Sequence, residues 1–351
     1  MVNRLLSALA CFVCLFFGVV YDVSADEGEQ VTNISGSLGG EAWYAWWHSV
    51  GGLEKHGVNL DYKIKPSVIW GTHTSMNLTR DKTLLSGIVF DYFTSKMEKE
   101  VNQQAFQGNE NSRDTYQEIK AMIDQRIGDG YFHLKMNYAH FEGELTLTQY
   151  GRTFNVPNGT KWNLDTEWFK ADALYLFDLG VNSNMLPGVG LRYISYNKPE
   201  ATSIFRDNGT VVDGMVQGDL ISGQVMETKF KGYYLAFGIL DKSTIGMPTE
   251  SLFFYDALFY VGTAYAENAK IGKAGGNTGI GGGFEGDVGI KYSYPFTKSS
   301  GITGRLGYRV LYNKMSEYDE KGTDASGNDI WRETTTVDVW HGPFVGVILF
   351  F

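Results

Sequence analysis

His73 and Ser75 are the two residues of the chain whose types and spacing come closest to a catalytic pair. They stand two positions apart in a stretch predicted to be a β-strand, where alternate residues face the same side. A histidine that takes the proton from a serine hydroxyl makes that oxygen a nucleophile for acyl transfer. The pair therefore suggests a hydrolase, and polar lining of a strand surface is the alternative interpretation.

Charged residues at alternate strand positions form a larger set that shares one predicted face. With His73, this face comprises Glu41, Asp61, Lys63, Lys65, Asp91, Lys170, Asp172, Arg192, Asp256, Glu285, Asp287, Lys291, Arg305, Arg309 and Asp338. Both signs are present, and charges held away from water are costly unless they are paired or hydrated. A hydrated channel and a closed network of ion pairs are both consistent with this pattern. Trp43, Trp47, Tyr260 and Trp340 share the face, which favours a narrow interior.

Cysteine, metal and nucleic-acid chemistry are not indicated by the sequence. Both cysteines, Cys11 and Cys14, lie in an N-terminal segment that is predicted to be removed. A mature chain without cysteine has no disulfide framework, no thiolate metal site and no cysteine nucleophile. The formal net charge of −10 disfavours a nucleic-acid partner. No cofactor or metal site is expected, because the acidic residues between 319 and 329 lack the spacing of a calcium loop.

The first residues predict export. Arg4 precedes an apolar run from Leu5 to Val20, and Val23-Ser24-Ala25 supplies small residues for cleavage before a polar segment. This order of charge, apolar core and small residues is typical of a secretory signal peptide. We expect a signal peptide over residues 1–25 and a mature chain over 26–351, with an N-terminal membrane anchor as the alternative.

The mature chain is patterned for strands that are apolar on one side. Between Tyr233 and Ile239, for example, the odd-numbered residues are large and apolar, whereas Ala236 and Gly238 are small. Aromatic residues make up 15% of the chain, and its 43 glycines far outnumber its 7 prolines. Apolar faces edged with tyrosine are typical of strands that face lipid and enclose a polar interior. A soluble β-sandwich is the alternative, because alternation alone does not show which face is inside.

Turn residues divide the chain into twelve predicted strands. They are placed at 35–48, 57–78, 83–97, 130–139, 144–156, 162–178, 187–197, 228–241, 251–266, 281–296, 301–314 and 333–351. If the N-terminus starts on the periplasmic side, the periplasmic connections are short and the long ones, 98–129, 198–227 and 315–332, lie outside. This asymmetry is expected of a transmembrane β-barrel.

The stretch from 98 to 156 is the least regular part of this pattern. The apolar parity shifts by one within 130–156, which a bulge in one long strand would also explain, so ten strands is the alternative count. Residues 112–127 predict a short helix in an outer loop. Ser112 is a suitable N-cap, and Tyr116, Ile119 and Met122 recur at helical spacing.

The last strand resembles a known class. From Val337 to Phe351 alternate residues are apolar and the chain ends on an aromatic residue, while Gly342 and Pro343 predict a bulge or a missing rung. The segment resembles the C-terminal assembly signal of Gram-negative outer-membrane proteins, whose last residue is typically Phe, as Phe351 is here. The resemblance covers only this strand. It implies an all-β, closed, antiparallel up-and-down transmembrane β-barrel in the outer membrane, in contact with lipid, lipopolysaccharide and the barrel assembly machinery.

Three functions follow as hypotheses. The first is a passive, porin-like channel for small hydrophilic solutes, and the second is a closed-lumen barrel whose loops 98–129 and 198–227 bind a partner or host molecule. The third, a lipid hydrolase, rests on a resemblance of His73 and Ser75 to outer-membrane phospholipases. Those enzymes carry a His-x-Ser-Asn-Gly stretch, whereas Met76 follows Ser75 here, and the predicted strand turns the pair inward. We therefore expect the protein not to be an enzyme.

Overall fold

Alternating residues form β-strands along most of the chain in the computed structural model. The structure describes residues 32–53, 58–80, 83–97, 99–102, 106–108, 114–142, 144–150, 161–163, 166–180, 183–212, 215–247, 251–268, 277–297, 299–315, 319–323, 329–333 and 335–351. Within these ranges one turn of 3₁₀ helix, Lys242–Ile245, accompanies the strands. No helix of the described chain is long and apolar enough to cross a membrane. The predicted signal peptide lies outside the described residues.

Twelve long strands of the described chain form one closed sheet. They are β1 (Thr32–Leu53), β2 (Val58–Arg80), β3 (Thr83–Met97), β4 (Asp114–Ile127), β5 (Gly130–Glu142), β6 (Thr166–Phe177), β7 (Met185–Val212), β8 (Met215–Asp241), β9 (Phe253–Asn268), β10 (Asn277–Pro295), β11 (Gly301–Met315) and β12 (Thr335–Phe350). Each strand pairs antiparallel with the next, and β12 pairs antiparallel with β1. The predicted twelve-stranded up-and-down barrel is confirmed, and the alternative count of ten is wrong.

The register of the strands determines the width of the barrel. Paired residues followed from Tyr294 through every strand and back to β10 lead to Ile280, 14 residues away (294 − 280). For twelve strands this stagger gives a tilt of about 39° and a backbone cylinder about 23 Å across. Long side chains from opposite walls meet across such an interior, so the inward residues decide whether the lumen is open.

The predicted helix over 112–127 is wrong, because residues 114–127 form the wall strand β4. Its backbone pairs with β3 on one side and with β5 on the other along its whole length. Tyr116, Glu118 and Asp124 are buried and all have even numbers, as expected when every second residue of a strand faces the interior. The tight turn after β4 contains Gly128 at a φ of +59°, a conformation that glycine adopts without strain. Hydrogen bonds to two neighbouring strands therefore stabilise a strand here, although the apolar residues also fit the spacing of a helix.

The predicted wall strand over 144–156 is also wrong. Glu144–Tyr150 is a short strand that pairs with Phe106–Gly108 and Lys161–Asn163, beyond the barrel wall. The chain turns after β4 at residues 128–129, and β5 therefore runs in the direction opposite to the predicted one. One wall strand is gained and one is lost, so the count remains twelve and every later strand keeps its predicted direction.

The outward face of the barrel is apolar. Leu191, Leu235, Phe259 and Val261 are each more than half exposed. Aromatic residues edge this band, with Tyr193 against Tyr233 toward one end and other rings, among them that of Phe296, at the opposite end. A soluble β-sandwich buries its apolar face, so this arrangement excludes that alternative and is the one expected for strands in contact with lipid.

The seam between β1 and β12 extends to the last residue. The N–H of Phe351 donates to the carbonyl of Gly36 at 2.9 Å, and the N–H of Gly36 donates to the carbonyl of Phe351 at 2.8 Å. Gly342 has a φ of +153° and lies so close to the Tyr44 carbonyl that a Cβ would stand 1.9 Å from it. Gly342 and Pro343 have no partner in the β1 ladder, which confirms the predicted missing rung. The role of Phe351 in assembly stays a prediction.

The two ends of the barrel differ in length. At the turn end, where Thr32 and Phe351 lie, most connections are short; at the loop end, β7 and β8 continue as a paired hairpin to Val212 and Met215. A 28-residue strand at the observed tilt rises roughly 70 Å, against an apolar band of about 25 Å. Phe205 and Arg206 of this hairpin pair with the short strand Asp329–Glu333. A paired β-structure thus projects beyond the loop end.

Candidate functional site in the barrel lumen

The structure turns most of the predicted lining residues into the lumen. Those on the inner wall are Glu41, His73, Asp91, Lys170, Asp172, Arg192, Asp256, Asp287, Lys291, Arg305, Arg309 and Asp338. The side chains of Asp61, Lys63 and Lys65 lie outside the described residues. That these residues serve a solute pathway stays a prediction, and the contacts that they make are described next.

An aromatic layer fills the loop-end half of the lumen. Its members are Trp43, Trp47, Tyr116, Phe141, Trp168, Tyr196, Phe230 and Trp340, all buried. Trp340 is central: its ring stacks on Trp47 at a centroid distance of 4.9 Å and lies 5.4 Å from Tyr116 and 5.9 Å from Trp168. These rings come from strands on different sides of the barrel, so they pack against one another across its interior.

An ionic layer lies immediately toward the turn end, and Glu285 is its centre. The carboxylate of Glu285 accepts hydrogen bonds from Lys170 Nζ at 2.6 Å and from Arg192 at 2.9 Å, and Lys135 Nζ lies 3.6 Å away. Glu285 belongs to β10, whereas the three cations belong to β5, β6 and β7, so these ion pairs cross the lumen. Asp172 holds Arg192 from the neighbouring strand through a second, bidentate pair.

Arg309 joins the two layers. Its guanidinium donates to Glu41 of β1 at 2.7 Å and to Asp287 of β10 at 2.8 Å. The same group lies 4.8 Å from the ring centroid of Phe344 and 5.2 Å from that of Trp43. An arginine between carboxylates and aromatic rings is well matched, because its planar charge binds the former in a fork and stacks on the latter.

The connection between β8 and β9 folds back into the turn end. Asp241 caps the 3₁₀ turn Lys242–Ile245 and is bound by Lys291 Nζ at 2.7 Å. Ile245 is fully buried, and the amide of Asn77, on the far wall, donates to the carbonyl of Gly246 at 3.2 Å. This turn narrows the lumen below the ionic layer.

An ion pair outside the strands fastens the same turn. Lys242 Nζ lies 2.8 Å from Asp178 in the connection after β6, and Arg126 lies 3.8 Å from Asp178. Partial burial alone would raise the pKa of the Asp178 carboxyl, but hydrogen bonds from Lys242 and from the Gly180 N–H, together with the nearby charges, lower it. The carboxylate form is therefore favoured where the connections meet.

A polar chamber of about 230 Å³ remains between these closures. Carboxylates, ammonium groups and rings line it, including Glu118, Lys120 and Lys135. In the described part of the chain, no group of three or more His, Cys, Asp and Glu side chains is arranged to hold a metal ion.

His73 lies at the edge of this chamber with different partners from those that the sequence suggested. Its Nδ1 lies 2.7 Å from Asp91 Oδ1, and its Nε2 lies 3.1 Å from the hydroxyl of Ser37, not that of Ser75. Ser75 instead contacts Ser37, with 2.7 Å between the hydroxyl oxygens. All four residues face the lumen, on β1, β2 and β3. Ser37 was missed because it stands on a different strand, although it directly opposes Ser75 in the register.

The closed sheet, the apolar outer band and the polar lumen together decide the class. This is an outer-membrane β-barrel protein. No protein-family model and no curated protein matches the chain. Its localisation is the bacterial outer membrane, as the sequence predicted.

Several solved structures resemble this outer-membrane barrel in fold at low sequence identity. The outer membrane protease OmpT of Escherichia coli matches 93% of this chain and 99% of its own at 10% identity and a TM-score of 0.33. The toluene transporter TodX of P. putida matches 91% and 90%, also at 10% identity and 0.33. The translocator domain of autotransporter NalP from Neisseria meningitidis matches 95% and 96% at 12% identity and 0.33.

Proposed function

We propose that this protein is a closed-lumen outer-membrane barrel whose projecting loop-end β-structure binds a partner or host molecule. The observation behind the proposal is the aromatic layer, which fills the lumen from wall to wall around Trp340. Interiors packed with interlocking rings exclude water and solutes. The ion pairs that cross the lumen at Glu285 close it a second time.

The surface half of the proposal rests on the length of the loop-end strands. The β7–β8 hairpin is paired out to Val212 and Met215, with register shifts at Ile204/Phe205 and Asp207/Thr210, and it receives a further strand from residues 329–333. A projecting sheet of fixed shape is a suitable binding platform because little conformational entropy is lost when it binds. Residues 114–127, which the loop 98–129 was expected to include, belong to the wall. The hairpin is therefore the stronger candidate of the two loops.

The outward apolar band and the last strand suggest the remaining partners. Leu191, Leu235 and Phe259 would contact lipid, with lipopolysaccharide at the loop end, and the strand that ends at Phe351 would be recognised by the assembly machinery. His73 and Ser75 face the lumen, which argues against hydrolysis of membrane lipid.

Conductance measurements test the closed lumen directly. The refolded full chain in planar bilayers is expected to give no conductance steps, whereas the triple variant Trp47→Ala, Trp340→Ala, Glu285→Ala is expected to give them, because it removes both the stacked rings and the carboxylate that joins the ion pairs across the lumen. Conductance of the variant would also show that the refolded protein inserts into the bilayer under these conditions. Stepwise conductance of the unmodified chain would contradict the proposal.

A passive channel for small hydrophilic solutes is the second candidate. The chamber of about 230 Å³ and its charged lining support it, since such a lining attracts polar solutes. If the unmodified chain conducts, this candidate replaces the first. Replacing residues 201–224 with a two-residue turn separates the hypotheses further: the closed-lumen barrel would lose binding and keep its permeability unchanged.

A further inference from the structure

Asp91, His73, Ser37 and Ser75 form a chain of three hydrogen bonds, in which each donor points toward the Asp91 carboxylate. The Asp91 carboxylate only accepts, so the Nδ1 of a neutral His73 carries the proton and donates at 2.7 Å. Its Nε2 is then an acceptor, and the hydroxyl of Ser37 donates to it at 3.1 Å. Because the proton of Ser37 points at His73, the hydroxyl of Ser75 donates to Ser37 Oγ at 2.7 Å. The order acid, histidine and serine is that of an activated nucleophile.

A second histidine in the lumen provides an internal comparison. His133 also places Nδ1 2.7 Å from a carboxylate, that of Asp124, but only 3% of its side chain is exposed. The side chain of His73 is 25% exposed and lines the chamber, and Ser37 is half-buried beside it. A His–Asp pair without a further partner, as at His133, is explained by packing between neighbouring strands. The serine hydroxyl on Nε2 distinguishes His73, since both histidines line the chamber.

We propose that Ser37 is a nucleophile, activated by His73, that hydrolyses small carboxylic esters inside the lumen. Asp91 is a positioning residue that fixes the tautomer of His73, and the Ser75 hydroxyl, which donates to Ser37 Oγ, orients the nucleophile. Ser37 pairs with Phe350 near the turn end, so substrate enters from that end. The chamber of about 230 Å³ is lined by His73 and Asp91, next to Ser37, and its size limits the substrate to a small ester.

The reaction balances without a cofactor. Ser37 Oγ forms a bond to the ester carbonyl carbon while His73 Nε2 takes its proton. The ester C–O bond then breaks, and His73 returns the proton to the departing alcohol oxygen. Water attacks the acyl-serine by the same route, which releases a carboxylic acid and restores Ser37. The net change is ester plus water to acid plus alcohol.

The test uses the refolded full chain in detergent with p-nitrophenyl acetate as substrate and a fluorophosphonate as covalent probe. Ser37→Ala is expected to lower kcat/KM at least about 10³-fold and to abolish labelling. Ser293→Ala is the matched control, because Ser293 also has a hydroxyl partner, Thr303 Oγ1 at 2.8 Å, without a histidine. Its rate and labelling are expected to equal those of the unmodified chain.

Mass spectrometry of the labelled, unmodified chain keeps the test independent of how the variants fold. Attachment of the probe to Ser37 supports the proposal, and no attachment, or attachment elsewhere, overturns it. Asp91→Asn tests the positioning role: kcat is expected to fall by up to about 10⁴-fold with a changed pH profile while KM stays near its original value. Equal losses in kcat for Ser293→Ala would show general destabilisation and overturn the assignment.

Discussion

Two layers of side chains cross the lumen, and they are held together by different interactions. Around Trp340 the rings pack with centroid distances of 4.9–6.1 Å. Around Glu285, one carboxylate meets three cations from the opposite wall. Packing contacts are short-ranged and divided among many atoms, whereas a buried charge depends on a few counter-charges. The aromatic layer should therefore tolerate small changes of shape, and the ionic layer should tolerate no change of charge.

Glu285→Gln is expected to have the largest effect, because it removes the counter-charge of Lys135, Lys170 and Arg192 without changing the shape. Leaving buried charges uncompensated costs about 3–5 kcal/mol. The measurement is the free energy of unfolding by urea in lipid vesicles. Glu142→Gln is the control, since 69% of the Glu142 side chain is exposed, and its expected change is below about 0.5 kcal/mol.

Trp340→Phe is expected to destabilise less, by about 1–2 kcal/mol, because a smaller ring retains part of the stacking on Trp47. Unfolding in the same vesicles measures it. Trp70→Phe is the matched control on the outward face, where Trp70 is 63% exposed. A loss equal to that of Glu285→Gln would remove the distinction between the layers.

Asp178→Asn should show the smallest effect, below about 1 kcal/mol, since its ion pair with Lys242 lies at the turn end near solvent. The folded-state pKa of Asp178 is lowered, so its contribution is complete above the ordinary aspartate value of about 3.9 and is lost as the pH falls through the folded value. The variant should therefore show a smaller decline in unfolding free energy between pH 5 and pH 3. An unchanged decline would exclude this ion pair as a contributor.

Prediction from sequence succeeded for the direction in which a side chain points, because that direction follows from the alternation within one strand. Alternation placed Glu41, Arg192 and Arg309 on the inner face, and the structure agrees. Prediction failed at residues 114–127 because Tyr116, Ile119 and Met122 fit a helical spacing as well as a strand. The choice was made by hydrogen bonds to β3 and β5, whose positions a local pattern does not contain.

The sequence by itself determined that the chain forms strands with one apolar face, since alternation along each strand is a local property. The count of twelve agrees because one missed wall strand offsets one wrongly predicted one. Only the tertiary structure decided which inward residues meet. Glu285 contacts Lys170, 115 positions away, and Ser37 contacts His73, 36 positions away. These contacts depend on the register of the strands around the closed sheet and on the small diameter of the barrel. Closure of the sheet therefore brings charged residues of different walls into ion pairs and places the Ser37 hydroxyl beside His73.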